Sequence, residues 1–299
     1  MKILVSGSHG LIGSSLLPFL GDCGHHIFYL VREKKEKGDN SIIWDPLRRK
    51  VNREVLENID VFIHLAGENI FSNRWTPQKK KEIYDSRILT TKFLCGEIRK
   101  LTRLPKVFIC ASSIRCYGDC GDKLIDEKRA FGKSFFCKVC ADWEKASSSL
   151  KKSGIRVVNL RFGSILSRDG GLLFRMQVPF RMGLGGRIGS GEQYVSWISL
   201  EDVVGIIYHT IFHKELYGPV NVASPNPVKN KEFAKTLGRV LRRPSAFVLP
   251  ESIAHFIFGE MADELMLASV RANPVKLLKS EYEFKHPSLE EALKDLLLL

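Results

Sequence analysis

Short apolar runs alternate with longer helical patterns through the first half of the chain. Runs at Lys2–Ser6, Ile27–Val31, Val61–Ala66, Val107–Ala111 and Arg156–Arg161 read as buried strands. Between them, Leu11–Leu20, Thr76–Leu101 and Ser134–Lys152 read as helices. The second helix is well marked, because Thr76 can cap it and Pro77 suits the first helical position. Alternation of this kind predicts a parallel sheet with helices on both faces, joined by right-handed crossovers. Ligands in such sheets collect beyond the carboxyl ends of the strands. The pattern therefore gathers Gly7–Gly13, Arg32, Ala66–Asn69 and Ser112–Gly118 around one crevice.

After Arg161 the texture changes. Residues 163–191 are rich in glycine and read as a long functional loop, since their aromatic and apolar content argues against disorder. Val195–Ile198 reads as strand, and Glu201-Asp202 opens a helix through Phe212. A helix at Asn230–Leu241, a short extended piece at Phe247–Leu249 and apolar helical segments complete the chain. The fold class expected is α/β, a doubly wound parallel sheet with a smaller, mixed C-terminal subdomain on the substrate side. The division expected is 1–165 plus 202–222 for the sheet domain, and 166–201 plus 223–299 for the subdomain.

The first strand and helix are joined by Gly7-Ser8-His9-Gly10-Leu11-Ile12-Gly13. The three glycines suit separate tasks. Gly7 permits the tight turn, Gly10 lets a pyrophosphate approach the backbone, and Gly13 lets the helix pack closely on the sheet. Free N–H groups and the helix dipole at the helix start then hold the phosphate. This context points to dinucleotide binding. At the end of the second strand an acid would grip a ribose 2′-hydroxyl, whereas an arginine accommodates a 2′-phosphate. Arg32 comes first there, followed by Glu33, Lys34 and Lys35. The cofactor expected is NADP, the alternative being that these residues form only a solvated charged loop.

Composition bounds the rest. No run of eighteen apolar residues occurs, so no membrane span is expected, and the chain begins on a strand without a signal-peptide layout. Seven cysteines without regular spacing fit reduced thiols and a cytoplasmic location. The formal charge of +13 comes from 46 Lys+Arg against 33 Asp+Glu, dispersed along the chain. No RNA-binding signature or basic-aromatic tract accompanies it, so nucleic acid is not expected as a partner. The partner expected is a small-molecule substrate, with homo-oligomerisation left open.

Gly7-x-x-Gly10-x-x-Gly13, Leu65-Ala66-Gly67 and Ser112-Ser113-x-x-x-Tyr117-Gly118 resemble an extended short-chain dehydrogenase/reductase of Rossmann fold. Across nearly the whole chain, the sequence is similar to the atypical "epimerase family" proteins of that superfamily, often labelled cell-division-inhibitor-like. Matching stretches include Pro179-Phe180-Arg181-Met182-Gly183-Leu184-Gly185-Gly186 and Ser196-Trp197-Ile198, and the Leu184–Trp197 block is specific to that family. The resemblance implies NADP contacts at Gly7–Gly13, Val31, Arg32, Leu65, Ala66, Glu82, Arg87 and Ser164. Spacing alone reads Glu82 and Arg87 as a solvated helical face.

Active members of the superfamily use a Tyr-x-x-x-Lys pair, in which the lysine and the nicotinamide ribose lower the tyrosine pKa. The resemblance puts that pair at Phe136 and Cys140, with Lys138 two residues early. By the superfamily's spacing Ser113, four residues before Tyr117, is the hydroxyl that would bond substrate, with Ser112 as its runner-up. The alternative for either is a capping or strand-end hydroxyl. Tyr117 could supply a proton, though a tyrosine after a strand more often packs. Glu68, Asn69, Arg74, Trp75, Glu192 and Gln193 can line the substrate side.

Cys116-x-x-x-Cys120 and Cys137-x-x-Cys140 offer four thiols, but their spacing follows no familiar zinc module and no metal is expected. His25 and His26 receive no role. Two functions remain. One is an NADP-dependent oxidoreductase or epimerase acting on a small polar substrate, with a sugar nucleotide as one candidate. The other is a non-catalytic NADP-binding protein that senses redox state or binds a partner.

Overall fold

The computed structural model describes residues 1–33, 40–72 and 74–298. The lysines that follow Glu33 lie outside these residues. Strands Lys2–Ser6 (β1), His26–Val31 (β2), Ser41–Asp45 (β3), Lys50–Val51 (β4), Val61–His64 (β5) and Val107–Ser113 (β6) join Arg156–Phe162 and Gly218–Val222 in one eight-stranded sheet. The order across it is Gly218–Val222, Arg156–Phe162, β6, β5, β1, β2, β3, β4. Every neighbouring pair is parallel except β3 with β4. From β1 the chain proceeds outward through β2 to β4, then crosses back to β5 on the other side. The strand order thus reverses at β1 and β5, the position where such sheets open a ligand crevice.

The helices are Leu11–Asp22 (α1), Pro77–Ile98 (α2), Phe135–Ser148 (α3), Gly171–Arg181 (α4), Leu200–Phe212 (α5) and Asn230–Leu241 (α6), followed by shorter ones and a last helix at Leu289–Leu298. α1 and α2 connect strands that advance in opposite directions, so right-handed crossovers put them on opposite faces. α1 packs on α5, and α2 packs on α3. Thr76 caps α2, its Oγ1 accepting the Lys79 N–H at 3.1 Å. Ser199 caps α5 in the same way, at 3.0 Å from the Asp202 nitrogen.

Several elements differ from the sequence reading, among them the edge strand Gly218–Val222, which it did not predict. Residues 163–191 are not one long loop: they hold a strand at Ser164–Leu166, α4, and a strand at Gly186–Ile188. Leu173 and Phe180, seven residues apart, bury one stripe of α4, and the surrounding glycines had hidden that period. Strand β3 escaped notice because it alternates, with Ile42 and Trp44 buried and Ile43 exposed, beside a charged segment.

The main core lies on both faces of the sheet. A second apolar cluster gathers Leu166, Leu173, Phe180, Trp197, Phe233 and Leu293, around α4, α6 and the last helix. Met261, Leu265, Val270, Ala272 and Leu277 join the main core instead. Among the described residues no helix is long and apolar enough to cross a membrane.

Candidate functional site

At the end of β1 the chain turns through Gly7 with φ +78°, and a Cβ there would stand 2.8 Å from the Leu65 carbonyl carbon. Leu65 and Ala66 therefore lie against the turn itself. A Cβ on Gly13 would come within 2.3 Å of Gly7 O and 2.7 Å of Ser8 Cα, so only glycine lets α1 start this close to β1. Gly10 closes the turn through its N–H to Gly7 O at 3.0 Å. A Cβ at Gly10 would meet only that same oxygen, at 3.3 Å, and the residue is exposed on its other side. No side chain caps α1. The first-turn N–H groups of Leu11, Ile12 and Gly13 are thus left for an anion. Ser8 is buried beside them, its Oγ 3.1 Å from the exposed His9 Nδ1.

Val31 is buried at the end of β2 and Arg32 is exposed immediately after it. Among the described residues Arg32 makes no hydrogen bond or ion pair. On α2 the structure separates Glu82 from Arg87. Glu82 is exposed and accepts from Gln78 Nε2 at 3.0 Å, whereas Arg87 is buried. The Arg87 guanidinium lies beneath Gly67, donates to Ile83 O and Glu68 O, and stacks on Trp143 at 5.2 Å. Among the described residues no carboxylate forms an ion pair with it and its Nε has no partner; burial lowers its pKa to about 10, against the pull of the nearby Glu68. A buried cation left unpaired beside the β5 end favours an arriving anion. Ser164 is half-buried, and its N–H donates to Ser196 O at 2.8 Å.

The two serines at the end of β6 have different fates. Ser112 is buried and donates to Glu144 Oε1 at 2.7 Å. Ser113 is half-buried and accepts the Arg115 N–H at 3.2 Å, while its own proton has no acceptor among the described residues. Tyr117 is not brought into the crevice. Its hydroxyl is buried, donates to Asn221 Oδ1 at 2.7 Å and accepts from Arg161 Nη1 at 2.8 Å. Burial pushes its pKa further up, against the pull of Arg161. Arg161 in turn meets Glu144 through Nε and Nη2, at 2.8 and 2.9 Å. The sequence reading had not singled out Arg161, which sits in an apolar strand; a charge in such a run was the available signal.

Phe136 occupies the first turn of α3, buried against Trp75 with ring centroids 5.9 Å apart. Its N–H donates to Glu264 Oε2 at 2.9 Å, and the same carboxylate accepts from Phe135 N and Ser134 Oγ. Burial raises the Glu264 pKa. Cys140, one turn on, is fully buried near Arg87, and burial pushes its thiol pKa up. Neither position offers an acid or a base. Lys138 is exposed on another side of the helix.

The substrate-side candidates scatter. Glu68 accepts from the buried Lys79 Nζ at 2.6 Å, and Trp75 Nε1 donates to Ile70 O at 2.8 Å. Arg74 lies against Gly259, and Asn69 Oδ1 accepts the Phe71 N–H at 2.9 Å. Gln193 is buried and bonds Ile188 O and Met266 O. Glu192 is exposed, and hydrogen bonds from Lys229 and Lys231 hold its carboxyl down at about 2. No cysteine belongs to a converging set of metal-ligating side chains among the described residues. Glu201, His286 and Asp295 do converge within 4.8 Å, but Lys285 Nζ already neutralises Glu201.

Comparison with known proteins agrees with this architecture. Residues 3–223 match the NAD dependent epimerase/dehydratase family, and residues 249–296 match a domain of unknown function, DUF1731. Epimerase family protein Mb2239 of Mycobacterium bovis is 38% identical over 97% of this chain and 96% of its own. Human epimerase family protein SDR39U1 is 33% identical, with 99% of each chain covered. The crystal structure of the human protein (isoform2) with NADPH superposes with a TM-score of 0.91, at 32% identity over 99% of both chains. The chain belongs to the NAD dependent epimerase/dehydratase family, among its epimerase family proteins.

Proposed function

We propose that the protein binds NADP(H) over the Gly7–Gly13 turn and acts as an oxidoreductase or epimerase on a small polar substrate. The observation that carries the cofactor reading is the turn itself. Glycine is required at Gly7 and Gly13 by contacts under 3 Å, while the outer side of Gly10 and the first-turn amides of α1 stay open. Arg32, exposed and unpaired among the described residues, would meet the 2′-phosphate, and the relative solved with NADPH supports the same choice. Val31, Leu65, Ala66, Arg87 and Ser164 would complete the contacts, with Arg87 offering a buried cation.

Ser113 would bond the substrate carbonyl or hydroxyl, because its proton is uncommitted whereas that of Ser112 goes to Glu144. Phe136 and Cys140 favour a second reading: a protein whose NADP(H) occupancy signals redox state, with turnover lost. Calorimetry tests the cofactor reading. The wild type should bind NADPH more tightly than NADH, and Arg32→Ala should abolish that preference. A charge-assisted contact is worth about 1.5–3 kcal/mol, so the preference should reach about tenfold or more. Equal affinities in the wild type would sink the assignment.

A further inference from the structure

Ser113 ends β6 and opens one tight helical turn, Ile114–Tyr117, so Arg115 follows it at the strand end where the crevice lies. Ser113 Oγ accepts the Arg115 N–H, and the Arg115 carbonyl accepts from the Cys137 thiol at 3.3 Å. Arg115 is thereby held between the uncommitted serine hydroxyl and the start of α3, where Phe136 stands. Its half-buried guanidinium donates from Nη1 to Ala268 O at 2.8 Å. Nε and Nη2 make no hydrogen bond among the described residues, and neither is sealed from solvent. No carboxylate among those residues forms an ion pair with it. Asp119, the nearby acid, accepts instead from the Gly121 and Ser269 N–H groups. Burial lowers the Arg115 pKa to about 10, against the pull of Asp119, so the group stays charged at neutral pH.

We propose, on the oxidoreductase reading above, that Arg115 binds the carboxylate of the substrate, a small oxo or hydroxy acid whose reacting oxygen meets Ser113. A half-buried cation without a counter-charge is unfavourable, and an anion arriving in the crevice relieves it. Nε and Nη2 form the side edge of the guanidinium, two parallel N–H groups that match the two oxygens of a carboxylate. The cofactor phosphates fit this edge poorly. β6 stands two strands from β1, about 10 Å away, and β2 lies one strand further. The pyrophosphate belongs to the turn after β1 and the 2′-phosphate to Arg32 after β2, both out of this guanidinium's reach. Ser113 and Arg115 thus divide the substrate: the hydroxyl takes the carbonyl or alcohol, and the cation anchors the acid group.

Ligand-observed NMR titrations of the NADP⁺-loaded full chain test Arg115 without requiring turnover. The probes are 2-oxobutyrate, acetoacetate and levulinate, whose carbonyls stand progressively further from the carboxylate, each beside its methyl ester. At least one acid should bind about tenfold more tightly than its ester, or better. Arg115→Gln should bind that acid and its ester alike, with NADP⁺ affinity unchanged. Arg115→Lys, which has the charge without the fork, should keep only part of the preference and decides the matter if the glutamine variant fails to fold. Arg99→Gln, an exposed control, should keep all of it. Equal binding of every acid and its ester, or a preference undiminished in the Arg115 variants, would overturn the proposal. So would UDP binding that weakens about tenfold in Arg115→Gln, which would give the guanidinium to a diphosphate. The same titrations without cofactor keep the two readings apart: a wild type that never binds NADP⁺ sinks the cofactor reading, while acid against ester still decides Arg115.

Discussion

Ser6 Oγ lies 2.6 Å from His64 Nδ1, directly across the β1–β5 pair. The other ring nitrogen is 3.0 Å from Thr91 Oγ1, and Thr91 gives its own proton to the Arg87 carbonyl. Thr91 must then accept, so Nε2 carries the imidazole hydrogen and Nδ1 accepts from the Ser6 hydroxyl. Ser6 also receives the Ala66 N–H at 3.4 Å. This buried chain ties the residue before Gly7 to the end of β5 and to α2, beneath the proposed cofactor turn.

The same chain makes the fold sensitive to acid. Burial lowers the His64 pKa from 6.5 to about 4. The unfolded chain takes up a proton below pH 6.5 that the folded protein refuses until about pH 4. The histidine's contribution is therefore complete above pH 6.5 and is lost as pH falls toward 4, by about 3 kcal/mol. Denaturant unfolding of the wild type between pH 7.5 and 4.5 should show this loss. His64→Gln should be less stable at pH 7.5 but lack that part of the slope; identical slopes would acquit the histidine.

Gly10 and Gly13 should fail in different ways. Gly13→Ala forces a methyl group against Gly7 O and Ser8 Cα, and should cost about 1–3 kcal/mol of stability by overpacking. Gly10→Val meets only Gly7 O, so the fold should survive. The branched side chain would nevertheless stand where the pyrophosphate approaches, and NADPH affinity should fall at least tenfold. Thermal melts paired with NADPH titrations separate the two. Undiminished NADPH binding by folded Gly10→Val would move the phosphate site elsewhere.

The sheet was legible because β1, β2, β5, β6 and Arg156–Phe162 are short, mostly apolar runs, each bounded by a turn or helix signal. β3 and α4 were not, since alternation beside charge and a helical stripe among glycines both dilute the period. At the site, local spacing revealed the glycine turn and the position of Arg32. It left Tyr117 open between packing and proton donation, because its partners Asn221 and Arg161 lie far along the chain. Five residues separate Glu82 from Arg87, which turns them about 140° apart on a helix. One therefore faces solvent and the other the core.

Arg161 and Glu144 form the buried joint between α3 and its neighbouring strand. Arg161→Met leaves Glu144 buried without its partner and should cost about 3–5 kcal/mol. Tyr117→Phe should cost only about 1–3 kcal/mol, by leaving Asn221 Oδ1 without its donor. Because the Tyr117 hydroxyl is buried in this network, NADPH affinity and any turnover should survive Tyr117→Phe. A variant that kept its stability and lost turnover would restore Tyr117 as a proton donor.

The chemistry turns on Phe136 and Cys140. A general acid–base group contributes about 10²–10⁴-fold, so the wild type should show little or no turnover of ordinary ketones or sugar nucleotides. Restoring the pair is hindered by the surroundings. Cys140 is fully buried near Arg87, and a lysine there would add a second cation beside it, with the neighbouring Glu144 already committed to Arg161 and Ser112. Phe136→Tyr with Cys140→Lys should therefore melt well below the wild type, and Phe136→Tyr alone should melt nearer to it. Assays of both variants at low temperature, against NADPH oxidation, separate a misplaced fold from a missing acid. A gain in reductase activity in the double variant would indicate a crevice that lacks only its proton-transfer pair. Efficient wild-type turnover that persists in Ser113→Ala would overturn this account, because the substrate would then be held and protonated by groups outside this site.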